Sequence, residues 1–125
     1  MIYQNEIKRY ADISDDDGVT FRKSKRVKTE YESPVFNTLN GFSKNKIPMI
    51  QPTLWEDGGK IYMLTRSTES RIMISESADG GKSWSPAKKT ELFNNNSGID
   101  CVKLNDGRIV VIHNPIPEDW GDRNI

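Results

Sequence analysis

Apolar and polar residues alternate in short runs along most of the chain, and clusters of Gly, Asp, Asn and Pro separate the runs. Alternation of period two marks strands whose two faces meet different surroundings, and the recurrence of an amphipathic helix is nearly absent. The central stretch predicts four strands, at about Ile50 to Glu56, Lys60 to Arg66, Arg71 to Ser77 and Trp84 to Glu91. Partial copies flank it: Lys8 to Ser14 and Phe21 to Lys28 before, Ile99 to Leu104 and Arg108 to Asn114 after. The polar segment Lys28 to Pro48, interrupted by Pro34, Gly41 and Pro48, reads as an elongated connection.

Two segments repeat one pattern. Ser14-Asp15-Asp16-Asp17-Gly18-Val19-Thr20-Phe21 and Ser77-Ala78-Asp79-Gly80-Gly81-Lys82-Ser83-Trp84 both fit Ser-x-Asp-x-Gly-x-(Ser/Thr)-aromatic. In such an Asp box the carboxylate caps turn N–H groups, the glycine accepts a positive φ and the ring packs under the hairpin. The residues Ser14, Asp16, Gly18, Thr20 and Phe21, and Ser77, Asp79, Gly81, Ser83 and Trp84, are therefore expected to be structural. A second repeat joins Leu54–Leu64 to Val102–Ile112, each a strand, an Asp-Gly turn and a strand.

Both repeats fit an all-β fold, a partial β-propeller with one full four-stranded antiparallel blade and two half blades. The expected layout is the end of one blade at 1–30, a connection at 31–49, a complete blade at 50–91 and the start of the next at 92–125. A propeller needs at least about four blades of about 40 to 50 residues, so the chain is expected to be a fragment. Missing blades or self-association would then cover its open faces.

Composition narrows the partners. With 18 basic and 18 acidic residues there is no charge excess to favour nucleic acid or an anionic membrane. No run approaches the roughly 20 apolar residues of a bilayer span, and the N-terminus lacks the apolar segment of a signal peptide. One cysteine, Cys101, and one histidine, His113, leave no disulfide and point to no metal or cofactor. The basic run Arg22 to Lys28 reads as a charged outer strand beside Asp15 to Asp17.

Strands that alternate in direction put both Asp boxes on one rim. The opposite rim collects Gln51 and Asp100 at the heads of two first strands, and Arg66 and Asn114 at the ends of the matching second strands. The Asn94-Asn95-Asn96-Ser97-Gly98 approach and the loop from His113 through Trp120 to Asn124 reach the same side, where long loops carry function.

From Gln51 to Asn114 most closely, the chain resembles the sialidase (neuraminidase) superfamily, specifically its BNR/Asp-box repeat proteins. That resemblance implies a six-bladed parent acting as an exo-α-sialidase-like glycoside hydrolase on a sialylated or other acidic glycan. Arginines of that family grip the substrate carboxylate, a Tyr–Glu pair supplies the nucleophile and an Asp the acid/base. Arg66, just ahead of Ser67-Thr68, takes the place of one such arginine, and Arg123 matches another. A guanidinium fork binds a carboxylate by two parallel charge-assisted bonds. Asn96, Ser97, Asn114 and Trp120 are candidate sugar contacts. Where the family's nucleophile-assisting Glu would stand, this chain has Gln51, a neutral amide that takes no proton, which leaves two alternatives: Asp100, one blade later, supplies the carboxylate, or the chemistry differs from sialic acid hydrolysis.

Plainer readings stand beside these. Arg66 fits a strand-end cation paired with Glu69 or Asp100, Arg123 a solvated loop charge and His113 a satisfied rim residue. Three functions follow: a hydrolase piece inactive alone, a non-catalytic glycan- or protein-binding propeller, and a structural remnant of a truncated gene.

Overall fold

The computed structural model describes residues 10–29, 32–37, 41–46 and 49–117. The described residues hold ten strands and no helix: β1 (Asp12–Ile13), β2 (Arg22–Lys23), β3 (Glu32–Asn37), β4 (Gly41–Lys46), β5 (Met49–Asp57), β6 (Lys60–Ser67), β7 (Arg71–Ser77), β8 (Lys88–Phe93), β9 (Asp100–Lys103) and β10 (Ile109–Ile112). Strands β5-β6-β7-β8 form one four-stranded sheet in sequence order, and β1-β2, β3-β4 and β9-β10 are separate two-stranded sheets. Every strand pair is antiparallel.

Sequence order and antiparallel pairing follow from the turns. Asp57 pairs with Lys60 across Gly58 and Gly59, both with positive φ, which lets a tight turn match the twist of the strands it joins. Paired residues share a face of the sheet, and alternation then assigns the rest. One face carries Met49, Leu54, Met63, Thr65 and Met73; the other carries Ile50, Thr53, Trp55, Tyr62, Leu64 and Arg66.

The methionine face forms the core with Val27 and Ala87, all five residues at most 4% exposed, and Trp84 packs against them. Methionine suits this role because its unbranched side chain fills irregular gaps. Val27 arrives from the preceding segment, which is tied down by the Lys25 N–H to the Lys82 carbonyl at 2.8 Å and the Ala87 N–H to the Lys28 carbonyl at 2.6 Å. On the opposite face Leu64 and Ile72 are buried, and β9 packs beside β5. Cys101 N–H donates to Thr53 Oγ1 at 3.1 Å, and Lys103 Nζ reaches the Glu56 carbonyl at 3.0 Å and Asp57 at 3.2 Å.

Three differences from the sequence reading have physical causes. The Lys28–Pro48 connection contains the β3–β4 hairpin, paired from Glu32↔Lys46 to Asn37↔Gly41. Pro34 within β3 broke the alternation that would have signalled it. The fourth strand begins at Lys88 rather than Trp84, because Pro86 has no N–H for the ladder. Serine hydroxyls bridge the gap instead, Ser75 Oγ donating to the Ser85 carbonyl at 2.6 Å and Glu76 N–H to Ser85 Oγ at 2.9 Å. The basic run is a strand only at Arg22–Lys23, and beyond it the chain buries Ser24 and Val27 rather than forming an outer charged edge.

Candidate functional site

The β5-β6-β7-β8 order sets two ends. The β5–β6 turn and the Asp box joining β7 to β8 lie at one end, and the β6–β7 turn and the heads of β5 and β7 at the other. At the Asp-box end the two loops close by the same bonds. Ser77 Oγ donates to Asp79 Oδ1 at 2.8 Å and accepts from Gly81 N–H at 2.9 Å; Ser14 Oγ does the same with Asp16 at 2.9 Å and Gly18 N–H at 2.7 Å.

Each carboxylate then takes both polar groups of the residue four positions on, through the N–H and hydroxyl of Ser83 or Thr20. Hydrogen bonds from those hydroxyls first, then from their N–H groups and from Ser77 or Ser14, hold both Asp79 and Asp16 down to a pKa of about 2. The hydrogen bonds shown for these carboxylates all run into their own loops, which fits a role in closing turns. Trp84 completes the box by donating Nε1–H to the Gly81 carbonyl at 3.0 Å. Phe21, its counterpart in the first loop, is 63% exposed.

At the other end, Ile50 pairs with Arg66 and Met49 with Ser67. The β6–β7 turn is a short serine-closed loop, with Ser67 Oγ donating to the Arg71 carbonyl at 2.7 Å and accepting from Glu69 N–H at 3.2 Å. Asn94 N–H donates to the Ser70 carbonyl at 3.1 Å, and the chain then crosses from the β7 side to Thr53, where Asp100 Oδ1 accepts the Thr53 hydroxyl at 3.0 Å. Arg66, at the end of β6, lies between these two anchor points in the sheet order.

Neither carboxylate that the sequence offered pairs with Arg66. Glu69 is bridged by Lys89 at 3.4 Å, and Asp100 is held by Thr53 and by Cys101 N–H at 2.8 Å. Arg66 is half-buried, and its Nε is enclosed without a protein partner. The same is true of both amide atoms of Asn94, of Asn95 Oδ1 and of Ser97 Oγ, with Asn94 at 0% exposed. Thr29 Oγ1 and Thr65 Oγ1 are enclosed in the same way, and since such an atom is costly, the polar atoms of Arg66, Asn94, Asn95 and Ser97 are candidates for contact with water or ligand oxygens.

A family model described as BNR repeat-like domain matches residues 4–124. The chain belongs to the BNR repeat-like domain family. Among curated proteins, none matches it. A crystal structure of a protein of unknown function from Dyadobacter fermentans DSM 18053 is similar in fold, with a TM-score of 0.61 and 19% sequence identity over 82% of this chain and 24% of that one. This BNR repeat-like domain thus spans about a quarter of the length of that solved chain.

The candidates taken from the sequence of the domain differ in their settings. Arg66 and Ser97 have enclosed atoms on the rim, and Asn114 is half-buried two residues beyond the end of β10. Asn96 has a φ of 60° and forms the turn between Asn95 and Ser97. Gln51 is exposed, with a φ of 51°, in the irregular stretch of β5 between Ile50 and Thr53. Left-handed backbone costs a non-glycine residue about 1–2 kcal/mol.

Asp100 does not occupy Gln51's place in the next hairpin. Asp100 pairs with Ile112, the residue matching Leu64, which pairs with Thr53; Asp100 therefore matches Thr53 and touches it. The bulge at Gln51 and the different turn lengths hide this offset in the sequence. Trp120 and Arg123 lie outside the described residues. His113 is engaged on the rim, its Nδ1 lying 2.9 Å from the Phe93 carbonyl.

Asn94 and Asn95 are the residues that sequence reasoning missed. The Asn-Asn-Asn-Ser run was the available signal, but it reads equally as turn formers. Two surface depressions lie elsewhere, one along Ile13, Asp15, Asp16, Thr20, Phe21 and Arg22, the other along Ile74, Ser75, Glu76, Ser85, Pro86 and Lys88. The first is lined by an Asp box whose polar atoms are already bonded, so the Arg66 rim is the stronger candidate.

Proposed function

We propose that this BNR repeat-like domain belongs to a sialidase-type propeller of six blades and that Arg66 recognises the carboxylate of an acidic sugar. The carrying observation is that Arg66 sits on the rim opposite the Asp boxes, with both nearby acids engaged by other groups and Nε enclosed without a partner. A carboxylate arriving there would complete the guanidinium's bonds in a partly desolvated setting, where charge-assisted hydrogen bonds are strong. Asn94, Asn95 and Ser97, with Asn96 and Asn114 nearby, supply neutral donors and acceptors suited to sugar hydroxyls. In the complete protein, Arg123 and Trp120 extend this surface, and Asp100 supplies a carboxylate for proton transfer.

Gln51 favours a second reading, a glycan-binding propeller without turnover. An amide at the head of β5 accepts hydrogen bonds but no proton, and losing a charge harms catalysis more than ground-state binding. Turnover by the 125-residue chain is expected to be negligible under either reading.

The test is calorimetric titration with sialic acid and with its methyl ester, on wild type, Arg66→Lys and Arg66→Ala, alongside release from a fluorogenic sialoside by a longer protein carrying further blades. Binding of the acid that fails with the ester and is lost in both variants supports carboxylate recognition. Equal binding of acid and ester, or an Arg66→Ala variant that binds as wild type does, rejects it. Turnover by the longer protein decides between hydrolase and binder.

A further inference from the structure

The run from Asn94 to Ser97 links the end of β8 to the start of β9, and so joins the central sheet to the hairpin that follows it. The backbone at its start is held from two sides. Asn94 N–H donates to the Ser70 carbonyl at 3.1 Å, and the Phe93 carbonyl lies 2.9 Å from His113 Nδ1. Ser70 belongs to the β6–β7 turn and His113 follows β10, so Asn94 stands where the sheet, the crossing and the next hairpin converge.

Asn94 is 0% exposed, yet neither polar atom of its side chain has a partner among the described residues. An asparagine amide carries two donor hydrogens on its nitrogen and acceptor lone pairs on its oxygen. Turning the amide over exchanges the two ends and gives neither a partner. Both atoms already lie under protein, so a further stretch of chain reaches them only by displacing what covers them. What fits is a species small enough to share the enclosure.

Chemistry selects among small species. A cation would satisfy Oδ1 and leave Nδ2 unmet, and an anion would do the reverse. Between Glu91 and Asp100 the chain carries no charged residue, so the crossing itself supplies no charge to hold an ion. Water donates and accepts through one oxygen, and a buried water makes about three hydrogen bonds to groups that otherwise go without. Further partners follow within three residues: Asn95 Oδ1 and Ser97 Oγ are also enclosed and unpartnered among the described residues, with Asn95 at 6% exposed. The turn at Asn96, with its φ of 60°, separates them.

We propose that Asn94 holds an ordered water beneath the crossing, and that this water bonds Asn94 to the Asn95–Ser97 turn. Asn94 is then the polar joint between the central sheet and the β9–β10 hairpin, fixed through its N–H to the β6–β7 turn and through its amide and the water to the crossing. This inference does not depend on the sugar-binding reading. On that reading, a sugar hydroxyl reaches Asn94 only through this water or by displacing it.

NMR of the isotope-labelled 125-residue chain tests the water directly. The side-chain N–H protons of Asn94 are expected to show cross-peaks to water whose NOE and ROE differ in sign, the mark of a water held far longer than surface hydration. Ser97→Ala removes a hydroxyl whose exchanging proton would imitate such a peak, and the cross-peaks should persist in that variant. Exchanging sodium for potassium, or chloride for sulfate, at one ionic strength should leave the Asn94 resonances in place. Asn94→Val removes both polar atoms and should lower Tm by about 4–12 °C, because the water and its remaining partners lose their bonds, whereas a dry site would gain stability from the same change. A wild type without these cross-peaks, their loss in Ser97→Ala, or Asn94 resonances that follow the identity of the ion would each overturn the water. An Asn94→Val variant at least as stable as the wild type would overturn its role as a joint.

Discussion

Replacing Ser77 by alanine should cost far more stability than the same change at Ser14, although the two serines make the same bonds. Ser77 is 1% exposed, and its hydroxyl accepts from the buried Gly81 N–H at 2.9 Å while donating to Asp79. Alanine removes the acceptor and leaves that N–H enclosed, a loss of about 1–3 kcal/mol for a buried donor left without a partner. At Ser14 the matching bond to Gly18 N–H, 2.7 Å long, lies at the surface. Water can replace the lost oxygen there, and the cost falls to about 0.5 kcal/mol, the lower end for a hydrogen bond exchanged with solvent.

In a domain of this size 1 kcal/mol moves Tm by about 4 °C, so Ser77→Ala should lower Tm by about 4–12 °C and Ser14→Ala by about 2 °C. Thermal unfolding followed by circular dichroism at one fixed protein concentration separates these values, with Ser77→Gly as a check on backbone effects. Equal shifts in the two alanine variants, or a larger one for Ser14→Ala, would refute the reasoning that burial rather than the bond pattern sets the strength of each box.

Other outcomes follow from the same geometry. Asp16 and Asp79 have folded pKa values of about 2 against an ordinary 3.8, so their contribution is present in full above about pH 4 and is lost as the pH falls towards 2. A Tm-against-pH series should show that decline, and Thr20→Ala/Ser83→Ala should flatten it; an unchanged slope would sink the assignment. Met73→Ala removes a 0% exposed side chain from the shared core and should cost about 2–5 kcal/mol by denaturant titration, against a near-zero effect expected if the methionine face were solvent-open. Thr53→Val removes the hydroxyl joining Cys101 N–H to Asp100 and should raise amide exchange at Cys101 and Val102 while leaving β7–β8 protected. Uniform exchange across both sheets would contradict a local tie.

The strands of the central sheet were legible because alternation and the Asp57-Gly58-Gly59 turn specify register together. β7 has the bounds that the pattern implied, Arg71–Ser77. The β3–β4 hairpin was hidden by Pro34, and the late start of β8 by Pro86, which has no N–H for the ladder, beside serine hydroxyl bonds at Ser75 and Ser85. The rim arginine could be named from its place after an alternating strand, but its surroundings could not. Sequence spacing offers Glu69 to Arg66, whereas the folded chain gives Glu69 to Lys89, a choice made by the fourth strand's position. The burial of Asn94 was beyond reach for a similar reason: local chemistry marks an asparagine run as a turn, and only the crossing from Ser70 to Thr53 encloses it.

Nitrogen-resolved NMR of the Arg66 Nε–H during titration with sialic acid addresses the rim most directly. The expected result is a shift of that proton and of the Asn94 to Ser97 amides with the acid but not with its methyl ester, while the Gly18 and Gly81 amides stay still. Movement centred on the Asp-box glycines, or the same response to acid and ester, would contradict carboxylate recognition at this end of the sheet.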